Sequence, residues 1–61
     1  MTPKDQAILK AIAEGCTYKE AGEHVHRAVG TIRKDLERLR ATASARNTTH
    51  LIALAIRQKL I

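Results

Sequence analysis

The sequence contains no tryptophan and no phenylalanine, and Tyr18 is its only aromatic residue of the Phe, Trp and Tyr group. Its 61 residues are enough for one small domain, whose hydrophobic core must therefore be aliphatic. A core of this kind suits a few short packed helices and leaves little room for a deep substrate pocket. We therefore expect one all-α domain over residues 1–61, and we do not expect an enzyme.

Cysteines and long apolar runs are also scarce. The single cysteine, Cys16, excludes an internal disulfide and favours a reducing compartment. No apolar run approaches the roughly 18 residues of a membrane span, and the N-terminus has no signal-peptide core. We therefore expect a cytoplasmic, soluble protein without a membrane partner. Because His24, His26 and Cys16 match no closed zinc pattern, we expect no metal and no cofactor.

Acidic residues are few where basic residues are concentrated. The chain has 11 Lys and Arg against 6 Asp and Glu, a formal net charge of +5. Most of this charge lies in residues 27–46, where the acidic residues are only Asp35 and Glu37. The basic residues of the same segment are Arg27, Arg33, Lys34, Arg38, Arg40 and Arg46. Such a cluster is typical of a phosphate-binding surface. A solvated face that only maintains solubility has the same composition, so composition alone does not decide between them.

Helix-start signals and apolar periodicity predict four helices. Thr2 and Asn47 are suited to N-cap positions, and Thr17 with Glu20 forms the pattern of a capping box. Gly15 can adopt the left-handed conformation that ends a helix. The predicted helices cover about 3–14, 18–25, 29–43 and 48–59.

The third predicted helix has an apolar side and a cationic side. Five apolar residues share one side of a 3.6-residue wheel, and we expect them to be buried: Val29, Ile32, Leu36, Leu39 and Ala43. The opposite side consists of Lys34, Glu37, Arg38 and Ala41, with Arg33 and Arg40 along one edge and Thr31 along the other. The helix therefore presents a mostly positive surface to the solvent.

The fourth predicted helix is apolar around most of its circumference, with a polar sector only near His50 and Arg57. A terminal helix needs only one buried face, so the surplus indicates a second burial against a partner. An unusually deep position in the protein's own core is the alternative. We expect a homodimer contact formed by Leu51, Leu54, Ala55 and Ile56.

The segment between the second and third predicted helices is compatible with the tight turn of a helix-turn-helix. In that motif the second helix enters the DNA major groove and the first crosses the backbone. Gly22 weakens the first of the two helices by about 1 kcal/mol relative to alanine, which predicts a close approach by another helix backbone. Because the second helix is the cationic one, the pattern predicts binding to double-stranded DNA.

The chain also resembles the LuxR/GerE-type helix-turn-helix domain, the DNA-binding output module of many bacterial regulators. The likeness spans the whole chain without a gap. It rests on TP at 2–3, ILKAIAEG at 8–15, KE at 19–20, His26, GTI at 30–32, RN at 46–47, Thr49, LIALAIR at 51–57 and LI at 60–61. Each piece is weak alone, and their joint spacing is specific.

The resemblance implies a four-helix domain in which helix three reads the major groove and helix four forms the dimer contact. By position, the residues that face base edges are Arg33, Lys34 and Glu37. The residues near phosphates are Thr17, Lys19, Thr31 and Arg38. Glu37 is suited to accept a hydrogen bond from cytosine N4, or to pair with Arg33 or Arg40 on its own helix.

Two functional hypotheses follow. The first is a sequence-specific transcription regulator of a bacterium or phage that binds DNA as a homodimer. The second is a standalone interaction module that pairs with a full-length regulator, or docks on RNA polymerase, and inhibits it. The absence of the sensor domain that most family members carry favours the second. So do the departures at the turn, where Arg27 replaces an aliphatic residue and Ala28 a capping serine.

Overall fold

The computed structural model describes all 61 residues and contains four α-helices and no strand, as expected for an all-α chain. The helices are α1 (Pro3–Ala13), α2 (Tyr18–Val25), α3 (Val29–Ala43) and α4 (Thr48–Arg57). The first and last end slightly before the predicted positions 14 and 59, because Glu14 and Gln58 already serve as C-caps. None of the four has the length and apolar character needed to cross a lipid bilayer.

Side chains at the predicted N-caps bind the first turns of three helices. The Thr2 hydroxyl accepts from the Asp5 backbone N–H at 3.1 Å, and the Asp5 carboxylate accepts from the Thr2 N–H at 3.2 Å. Thr17 and Glu20 make the same reciprocal pair at 3.1 and 2.9 Å. Asn47 Oδ1 accepts from the His50 backbone N–H, in the first turn of α4, at 2.8 Å. These bonds satisfy N–H groups that the helix itself leaves unpaired, which confirms the three predicted starts.

Left-handed residues mark the ends of the first three helices. Gly15 follows α1 with φ of 96°, a conformation that favours glycine, and so confirms the predicted stop. His26 ends α2 with φ of 58°, and Ser44 ends α3 with φ of 55°. Only the three residues of 26–28 separate α2 from α3, so the connection between these two helices is short.

The core is aliphatic, as the lack of aromatic residues requires. Its buried members come from all four helices and are Ile8, Leu9, Val25, Ile32, Leu36, Leu39, Leu51 and Ala55. The predicted burial of the apolar side of α3 is confirmed for Ile32, Leu36 and Leu39. It is wrong for Val29 and Ala43, which are exposed. They are the first and last residues of α3, where neighbouring helices no longer cover the helix.

Helix α4 is anchored in this core by the side that contains Leu51 and Ala55, each only 2% exposed. The prediction that these two residues form a dimer contact is therefore wrong, because their side chains are already buried within the chain. Leu54 is half-buried, and Ile56 is 55% exposed. Of the four residues predicted for a partner, these two remain accessible.

Tyr18 connects the beginnings of α2 and α4. Its ring packs against the core, and its hydroxyl lies 3.2 Å from the Thr48 hydroxyl in a hydrogen bond. A partly buried tyrosine ring with a partner for its hydroxyl combines apolar packing with a satisfied polar end. The contact therefore fixes the first turn of α4 against the first turn of α2.

Candidate nucleic-acid interface

The turn between α2 and α3 is packed directly against α2 at Gly22. The Arg27 N–H donates to the Gly22 carbonyl at 2.8 Å. A Cβ atom at position 22 would overlap with the Arg27 carbonyl oxygen, so no larger residue fits without a shift of the turn. The expected close approach at Gly22 is confirmed, although the approaching backbone belongs to the turn and not to another helix. This packing sets where α3 begins.

The three residues predicted to face base edges share the outer side of α3. Arg33, Lys34 and Glu37 are all exposed, and none of them takes part in an ion pair. The alternative pairing of Glu37 with Arg33 or Arg40 is not formed. The two cations are therefore free to contact an external anion, without first breaking an interaction within the protein.

All four residues predicted to lie near phosphates are exposed, and three of them take part in no ion pair. Lys19, on α2, lines a shallow cleft with Ala28 and Val29 at the start of α3. Thr17 precedes α2, and its hydroxyl oxygen accepts the capping bond while its own proton remains available. Thr31 lies in the first turn of α3. Lys19 thus adds a positive charge beside the beginning of the cationic helix.

The fourth residue, Arg38, is arranged differently because it bonds to α1. Its Nη2 atom lies 2.9 Å from Asp5 Oδ1 and 3.6 Å from Asp35 Oδ1. The Arg38 side chain is 53% exposed, whereas Asp5 is only 2% exposed. The sequence pattern missed this pair because its members are 33 positions apart. The guanidinium is therefore held against the side of the domain and not directed away from it.

The ionisation of this pair follows from its contacts. Burial alone raises the pKa of the Asp5 carboxyl, but hydrogen bonds with Arg38 and Thr2 outweigh it, so the pKa lies below its usual range. The hydrogen bond to Asp5 in turn raises the pKa of Arg38. Both groups are charged at neutral pH, and each stabilises the charge of the other.

Arg27, which the family resemblance marks as a departure, forms an ion pair with Asp35. Its guanidinium Nη1 donates to Asp35 Oδ2, and both side chains are mostly covered. Arg27 lies in the turn and Asp35 in α3, so the bond spans the junction between them. A covered arginine without a carboxylate would be costly, and Asp35 supplies that partner.

No part of the structure brings together three His, Cys, Asp or Glu side chains in a group that could hold a metal ion. Cys16 and His24 line another shallow cleft together with Lys10 and Glu14. The exposed cations of the candidate interface are Arg33 and Lys34 on α3 and Lys19 on α2.

Comparison with known proteins does not identify a relative. No protein-family model matches the chain, and no match was found among curated proteins or among solved structures. The resemblance to LuxR/GerE-type domains therefore rests on the residues quoted above.

Proposed function

We propose that this chain is a helix-turn-helix protein that binds double-stranded DNA with α3 in the major groove. The observation that carries the proposal is the pair of exposed, unpaired cations Arg33 and Lys34 on α3. They lie near the N-terminal end of a helix that follows a three-residue turn. A recognition helix contacts base edges with residues near this end.

Each residue of the interface has a proposed role. Arg33 is suited to the bidentate contact with guanine O6 and N7, and Lys34 donates to an acceptor nearby. Glu37, which has no cation to neutralise it within the protein, accepts a hydrogen bond from cytosine N4. Thr17, Lys19 and Thr31 donate to phosphates on either side of the groove.

The proposed assembly is a homodimer of the LuxR/GerE type that acts as a transcription regulator. Leu54 and Ile56 of α4 are the accessible apolar residues suited to the dimer contact. Two copies related by a two-fold axis would read two half-sites of opposite orientation. We place this regulator in the cytoplasm.

The experiment that tests the proposal is selection of bound duplexes from random DNA. We expect an enriched motif with two-fold symmetry. Arg33→Ala should then reduce affinity for that motif by about 1–3 kcal/mol and relax the preference at one base pair. Lys10→Ala removes an exposed cation from α1 and serves as the matched control, with little expected effect. Failure to enrich any motif would favour the interaction-module hypothesis.

A further inference from the structure

Four charged side chains form a continuous line along one flank of α3. The order is Arg27, Asp35, Arg38 and Asp5, so that positive and negative groups alternate. We call this line the charge chain. Its links join the turn to α3 and then α3 to α1, so it crosses the structure on the side of α3 away from Arg33.

Asp5, the last member of the charge chain, makes a second contact within its own helix start. Asp5 accepts from Arg38 with Oδ1 and from the Thr2 backbone N–H with Oδ2. The same carboxylate therefore caps the beginning of α1 and holds the middle of α3. A displacement of Arg38 would leave Asp5 with the Thr2 contact alone.

We propose that Arg27 and Arg38 are positioning residues that fix α3 against the turn and α1, and that neither contacts a DNA phosphate. This inference rests on the proposed function, since it concerns which cations of that interface bind DNA. It assigns the electrostatic contact with DNA to Lys19, Arg33 and Lys34.

The reason lies in what a phosphate contact would require. Arg38 Nη2 is held by Asp5, and if Arg38 moved to a phosphate, the Asp5 carboxylate, which is 2% exposed, would lose a charged partner without gaining water. The neighbouring Asp35 would also repel a phosphate drawn to this flank. The two cations and two anions of the charge chain sum to zero, so the flank offers DNA no net charge. Lys19, Arg33 and Lys34 have no ion-pair partner, so none of them has to give up a carboxylate to contact a phosphate.

The test compares Arg38→Gln with Lys19→Gln in DNA binding at several salt concentrations. Loss of a cation that neutralises a phosphate lowers the salt slope by about one unit. We expect this drop for Lys19→Gln. For Arg38→Gln we expect weaker binding at every salt concentration with an unchanged slope, because α3 is less well held. A drop of about one unit for Arg38→Gln would overturn the proposal.

Arg27→Gln provides a second variant if Arg38→Gln does not fold. The proposal again requires weaker binding with an unchanged slope, and a lower slope would contradict it.

A measurement without DNA separates this proposal from the proposed function. Urea unfolding of Arg38→Gln, Asp5→Asn and the double variant gives the coupling between the two side chains. We expect the double variant to lose less stability than the two single losses together. Additive losses would refute a positioning role for Arg38, whether or not the protein binds DNA. Coupling together with absence of DNA binding would instead refute the proposed function.

Discussion

The DNA affinity of this chain should fall steeply between about 50 and 200 mM salt, because basic side chains displace counterions from DNA. Each neutralised phosphate changes the slope of log affinity against log salt by about −0.9. Lys19, Arg33 and Lys34 are the cations of the proposed interface without an ion-pair partner. They give a slope of about −2.7 and roughly a 40-fold loss per bound protomer. A dimer should reach about −5.4 and roughly a 2,000-fold loss.

The same calculation distinguishes a positioning role for Arg27 and Arg38 from a direct contact of these residues with phosphates. If Arg27 and Arg38 also neutralised phosphates, the slope would be about −4.5 per protomer, or roughly −9 for a dimer. Fluorescence anisotropy of a labelled duplex, titrated at several salt concentrations, measures the slope, and sedimentation of the complex gives the stoichiometry. A flat response would refute DNA binding through these side chains. A slope near the larger value would refute the reasoning from ion pairs.

Three further variants test the fold and the assembly. Ile56→Glu should convert a dimer to monomers in sedimentation, because Ile56 is an exposed apolar residue of α4. The control Gln58→Glu, at an exposed polar position, should leave the dimer intact. A wild-type protein that is monomeric with and without DNA would contradict the dimer. The pKa of Asp5 in the folded state is lower than in the unfolded chain, where it is about 4. The stabilisation from its ionised form is therefore fully present above about pH 4 and is lost as the pH falls through the lowered folded-state pKa. Thermal unfolding of Asp5→Asn should therefore depend less on pH between roughly 2 and 5, and identical pH profiles would exclude this contribution. Gly22→Ala should cost about 1–3 kcal/mol in urea unfolding because its Cβ meets the turn backbone, whereas Gly30→Ala has open space. Equal effects of the two glycine substitutions would argue against the close packing.

The sequence predicts the helix starts well because their causes are local. The capping partners of Thr2, Thr17 and Asn47 lie three residues away, so the pattern is visible in the sequence itself. The same holds for the helix stop at Gly15, which depends on its own backbone conformation. The four-helix architecture could therefore be predicted from short segments.

The orientation of α4 and the role of Arg38 could not be predicted in this way. An apolar residue faces every direction of α4 except one sector, so a helical wheel does not indicate that Leu51 and Ala55 face inward. The position of Arg38 depends on Asp5, which the fold brings to α3 from a distant part of the chain. An outward position on a wheel identifies an exposed cation and leaves open whether that cation is already neutralised.

The scarcity of aromatic residues gives Tyr18 a practical value. It is the only source of intrinsic tyrosine fluorescence, and the sequence has no tryptophan to mask its signal. Its hydroxyl contacts Thr48, so its emission reports on the junction between α2 and α4. A change in tyrosine emission on DNA binding or on dimerisation would therefore follow movement at this junction without an attached dye. Tyr18→Phe, which lacks the hydroxyl, would show how much the hydrogen bond contributes to the attachment of α4.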